Sequence, residues 1–134
     1  MTLVTPARTG LVVLLALGTV LSVLPDDPIP DELSLLSHVL GFAVLGFLVM
    51  AGFESLAGRV GALIALLAVG GGLELWQTQL PARTPSLVDA GANAVGILSG
   101  LLVDRAMAWL GGRPRGLGPR HAPHPQRTGD DKTT

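Results

Sequence analysis

From Leu33 to Phe53 the chain runs 21 residues without an Asp, Glu, Lys or Arg, and from Val60 to Leu80 another 21 with Glu74 alone. A helix rising about 1.5 Å per residue crosses a hydrocarbon core of about 30 Å in roughly 20 residues. Two further runs flank these, Thr9–Leu24 with no charge and Leu87–Leu110 with Asp89 and Asn93 early and Asp104–Arg105 late. Runs two to four lack a polar face, so a soluble helical bundle would leave large apolar surfaces uncovered. Charged residues are 14% of the chain, against roughly 25% in an ordinary soluble domain. These features exclude a soluble globular enzyme, a nucleic-acid binder and a disordered protein. The absence of cysteine excludes a disulfide framework and a thiolate metal site.

The expected fold is all-α, a four-helix transmembrane bundle with antiparallel up-down topology and spans at about 9–24, 33–53, 60–80 and 87–110. Connections Pro25–Glu32, Glu54–Arg59 and Pro81–Ser86 are 8, 6 and 6 residues long, short enough to turn each helix back beside its predecessor. Arg8 ahead of the apolar Leu11–Leu24 segment also fits a cleaved signal peptide. No small-x-small site follows it, so retention as a span is the expectation. Residues 111–134, rich in Gly, Pro and Arg with His121 and His124, read as a disordered cytoplasmic tail behind the 1–110 membrane domain. Arg8, Arg59, Arg105 and five basic tail residues fall on one side of this layout and only Arg83 on the other. That bias places both termini in the cytoplasm.

Polar residues inside a span are the strongest functional lead, since an ionised group costs about 2.5–3.5 kcal/mol at mid-bilayer unless paired or hydrated. His38 lies just inside the second run, Glu74 and Gln77 near the end of the third, and Asp89 and Asn93 at the start of the fourth. In an alternating bundle all five share one leaflet, the outer one on the charge assignment, with Arg83 at the mouth. Asp89, Asn93, Gly96 and Gly100 follow one helical stripe, and Gly96-x-x-x-Gly100 permits close approach of another helix, including one from a second copy. Each member also has a plainer role. Asp89 completes a capping box with Ser86, Asn93 and Gln77 glue helices together, His38 packs, and Arg83 anchors at the interface. One histidine and two carboxylates on three helices make no convincing metal set, and no cofactor signature or nucleophile arrangement stands out.

The stretch Glu74-Leu-Trp-Gln77, Pro81-x-Arg83, Ser86-x-x-Asp89, Asn93-x-x-Gly96 resembles the signature of the VanZ-like family of small bacterial membrane proteins. His38-Val-Leu-Gly-Phe upstream is similar to that family's histidine motif. The resemblance covers roughly residues 9–110. One departure is plain: the family often carries an acid–lysine pair before the histidine, where this chain has Ser34 and Leu35. The resemblance implies a multi-pass protein of the bacterial cytoplasmic membrane with an envelope connection, through the family's association with the glycopeptide teicoplanin.

Two functional expectations follow. In the first, an outer-leaflet pocket binds or protects an envelope lipid, a lipid-linked precursor or a lipoglycopeptide. Arg83 pairs with an anionic group, while Gln77, Asn93 and Ser86 supply neutral contacts. The second is a membrane-embedded hydrolase or transferase acting on an amphiphile, with Glu74, His38 and Asp89 as acid–base groups. A third and plainer role is a scaffold in which the polar residues only hold four helices together.

Overall fold

The computed structural model describes residues 4–23, 31–79 and 87–111. Four helices carry these residues: α1 (Val4–Ser22), α2 (Asp31–Gly52), α3 (Leu56–Gln77) and α4 (Leu87–Leu110). Each is long and apolar enough to cross a membrane, and no strand occurs among the described residues. The first and third connections and the tail from residue 112 lie outside them.

The helix boundaries follow local chemistry more than hydropathy. The N-terminus of α1 reaches back to Val4, five residues before the expected span, and its 19 residues make a rod of about 28 Å. Pro6 falls in its first turn, where a missing N–H costs no helical bond. For α3 the start is Leu56 and not Val60, because Ser55 caps it: the Ser55 side chain accepts from the Gly58 N–H at 3.1 Å. Only Phe53–Ser55 therefore join α2 to α3, where a six-residue connection was expected. The helix stops at Gln77 rather than Leu80, as the Thr78 N–H turns back to Leu75 and its hydroxyl donates to the same carbonyl at 2.7 Å.

Packing is most extensive between α2 and α4, with α1 laid on α2 and α3 on both members of that pair. Within the spans, 28% of α2 and 33% of α4 is buried but only 11% of α1 and of α3, so the outer two helices flank a central pair. Two glycines explain how close that pair comes. A Cβ on Gly96 would lie 2.5 Å from the Val39 carbonyl oxygen, and one on Gly100 would strike the Ala43 carbonyl oxygen. The Gly96-x-x-x-Gly100 face is thus occupied by α2 of the same chain, at backbone contact.

The buried core is small, formed by Leu11, Leu45, Val49, Leu66 and Ile97 with Leu15, Phe42 and Leu63 packed against it. Around it Leu17, Leu40, Ile64, Val95 and Leu102 are exposed on the outer faces. In water such a surface would drive aggregation; in hydrocarbon it costs nothing, and packing of small residues and polar contacts hold the helices.

One end of the bundle is fastened by two arginines. The Arg8 Nε donates to the Gly52 carbonyl at 2.8 Å, with its guanidinium 4.8 Å from the centre of the Phe53 ring. From the other side, Arg59 Nε donates to the Phe53 carbonyl at 2.7 Å. Carbonyls at a helix C-terminus lack intrahelical donors and carry the negative end of the helix dipole, so both contacts are charge-assisted.

Candidate functional site

At the other end of the same helices the polar side chains gather. His38 stands two turns into α2, and its Nδ1 lies 2.8 Å from Asn93 Oδ1 on α4. An amide oxygen only accepts, so Nδ1 is the donor, and the neutral ring then carries its lone pair on Nε2. Asn93 is buried, at 3% exposure, and this bond supplies the partner its oxygen needs in an apolar interior.

Glu74 on α3 is also buried, at 8% exposure, while His38 and Asp89 are half-buried. One ligating atom from each of His38, Glu74 and Asp89 lies within 4.8 Å of the other two. Three separate helices supply them, so their mutual distance could not be read from the sequence.

Gln77 makes the interhelical contact that its plainer role called for. Its Nε2 donates to the Ser22 carbonyl at 3.1 Å, satisfying an orphan carbonyl at the end of α1 and tying α1 to α3. Beside this tie lies a cavity of about 430 Å³, bounded by α1 from Leu14 to Ser22, α2 from Ser34 to Leu45, and α3 from Gly70 to Gln77, with Asn93 of α4 at its floor. Its walls divide by chemistry. Leu14, Leu17, Leu40, Val44 and Leu45 form the apolar part, and His38, Glu74, Gln77 and Asn93 join Ser22, Ser34 and Ser37 in the polar part.

Three hydroxyls in that wall are spent on their own helices. Ser22 donates to Gly18 at 2.8 Å, Thr19 to Leu15 at 2.8 Å and Ser37 to Ser34 at 2.6 Å, all on carbonyl oxygens. What remains at the polar end of the apolar slot is an imidazole, a carboxyl, two amides and the Ser34 hydroxyl. Such a wall offers hydrogen-bonding groups at one end and apolar surface along the rest.

Of the residues expected in the site, the structure brings together His38, Glu74, Asp89 and Asn93, with Gln77 at the cavity edge. Arg83 and Ser86 lie outside the described residues, as does the capping box of Ser86 with Asp89. The contribution of α1 was not foreseen: Leu14, Leu17, Gly18 and Leu21 form one wall, and nothing polar in that run marks them in the sequence. Asp104 is the other surprise. It is 3% exposed, whereas its neighbour Arg105 is exposed, because successive helical positions face different ways. No protein-family model, curated protein or solved structure matches this chain.

Proposed function

We propose that this chain is a VanZ-like protein of the bacterial cytoplasmic membrane whose cavity holds an amphiphile of the cell envelope: a lipid, a lipid-linked precursor or a lipoglycopeptide. The observation that carries this reading is the division of one 430 Å³ cavity into an apolar slot and a polar end. The proposed arrangement is an antiparallel up-down bundle with both termini cytoplasmic. Two observations support it: Ala7 and Arg8 pack on Gly52 and Gly10 on Leu48, while Gln77 bonds to Ser22. The basic residues Arg8 and Arg59 fall at the end away from the cavity's polar groups, which on the positive-inside rule supports an outer-leaflet position for that polar end. Arg83 completes the proposed site at its mouth by pairing with an anionic head.

Gly18 provides the test. It lines the cavity, and a Cβ built there meets no heavy atom within 4 Å, so a side chain can be added at this wall without a clash at its first carbon. Wild-type protein in detergent should bind a fluorescent polyprenyl phosphate or labelled teicoplanin, and Gly18→Phe should abolish binding while the protein stays helical and monodisperse. Equal binding by both proteins overturns the proposal.

A membrane-embedded hydrolase or transferase is the second reading, favoured by the convergence of His38, Glu74 and Asp89. Glu74 would take a proton from the attacking group, with His38 as its partner. Turnover of labelled envelope lipids by wild type but not by Glu74→Gln supports it; recovery of the lipids unchanged from folded protein rejects it.

A further inference from the structure

We infer that His38, Glu74 and Asp89 form a binding site for a single divalent transition-metal ion, with Asn93 as the residue that positions the histidine. Each ligand comes from a different helix, and their ligating atoms lie within 4.8 Å of one another. Around a tetrahedral Zn²⁺ with bonds of about 2.1 Å, ligand atoms stand about 3.4 Å apart, a spacing within reach of side-chain rotation.

Three features of the surroundings favour a cation over a purely structural cluster. The first is the donor set: an imidazole and two carboxyl groups from three helices face one another within the bundle, the ligand types that a divalent ion takes. The second is the histidine's tautomer. The Nδ1–H donates to Asn93 Oδ1 at 2.8 Å, so the lone pair is on Nε2, as in metal sites where a neighbouring oxygen orients the imidazole. The third is access. His38 and Glu74 belong to the cavity wall and Asp89 does not, so an ion on the triad borders the cavity with a position open toward it.

One nitrogen and two carboxylate oxygens suit Zn²⁺, Mn²⁺ or Fe²⁺ rather than a soft ion. Three protein ligands leave room for water or an anionic oxygen. Such an ion would hold the phosphate or carboxylate of an amphiphile at the polar end. The metal site itself does not depend on that reading, since it is assayed without lipid.

The experiment uses the full chain, stripped with a chelator in detergent and titrated with Zn²⁺ in a calorimeter. His121 and His124, the remaining histidines, are changed to alanine in every sample. One Zn²⁺ per chain is expected, uncompeted by equimolar Mg²⁺, which prefers octahedral oxygen sites and keeps its waters. His38→Ala, Glu74→Gln and Asp89→Asn should each abolish saturable binding. Asn93→Ala should weaken it about 10–100-fold, the usual effect of losing an outer-shell partner, and Asn93→Asp should restore it by keeping the acceptor. Co²⁺ should give a visible d–d spectrum in wild type that changes in Asn93→Ala, a response that a merely structural role for Asn93 would not produce. Failure of wild type to bind Zn²⁺ or Co²⁺ overturns the site. So does binding that survives both His38→Ala and Glu74→Gln. Should one of these variants lose its fold, the isosteric Asp89→Asn and the Co²⁺ spectrum of wild type decide the matter.

Discussion

Asn93 on α4 accepts a 2.8 Å hydrogen bond from His38 on α2, a side-chain bond that joins the central helix pair. The bond locks a ring rotamer, a tautomer and a helix register together. Replacing Asn93 by leucine removes the acceptor and leaves a half-buried N–H facing hydrocarbon. The expected loss is about 1–3 kcal/mol of unfolding free energy, read as a shift in an SDS or thermal unfolding curve. The double change His38→Phe with Asn93→Leu should recover part of it, because neither unsatisfied group remains.

The glycines of α4 divide into two kinds. At Gly100 an added Cβ strikes the Ala43 carbonyl, so Gly100→Ala should push α2 and α4 apart and cost about 1–3 kcal/mol. At Gly91 an added Cβ meets nothing within 4 Å, so Gly91→Ala should leave stability unchanged or raise it by up to about 1 kcal/mol through helix propensity. Parallel unfolding curves for the two variants check the contrast.

The bond from Gln77 to the Ser22 carbonyl holds one end of α1 against α3. Gln77→Ala should cost only about 0.5–1.5 kcal/mol while loosening that end. Spin labels at the cavity-lining positions Leu17 and Leu73 should then report a broader and longer distance distribution. An unchanged distribution would show that packing on α2 alone fixes α1.

Insertion is open to a direct check, because the chain has no cysteine. Glu54→Cys and Gln79→Cys stand at opposite ends of α3, and both positions are exposed. In intact cells a membrane-impermeant maleimide should label the cysteine at 79 and spare the one at 54. The reverse pattern would invert the proposed orientation, and labelling of both would reject a single orientation.

Much of the bundle is legible in the sequence because a membrane span needs only length and the absence of charge. The ends were harder. Ser55 starts α3 four residues before Val60, since capping chemistry acts on backbone groups and is blind to hydropathy. The polar cluster was legible too, because His38, Glu74, Asp89 and Asn93 are conspicuous in apolar runs and alternation of the helices brings them to one end. Their mutual distances were not: whether an acid on α3 and one on α4 lie within 4.8 Å depends on how closely Gly96 and Gly100 let the helices pack. The α1 wall was invisible for a simpler reason. Leu14, Leu17 and Leu21 look the same in sequence whether they face lipid or a cavity.

The contact of Arg8 with Gly52 has a consequence for the order in which the molecule can assemble. Everything that bond needs is contained in the first 53 residues, ring and carbonyl included. During synthesis α1 and α2 can close into a pinned hairpin before α4 exists. The bond to Asn93 and the glycine contacts of Gly96 and Gly100 must wait for the last helix. In a chain that closed this hairpin first, His38 would stand on α2 before the Asn93 amide that accepts its hydrogen bond had been made. Arrival of α4 completes the polar cluster and closes the central helix interface in a single event.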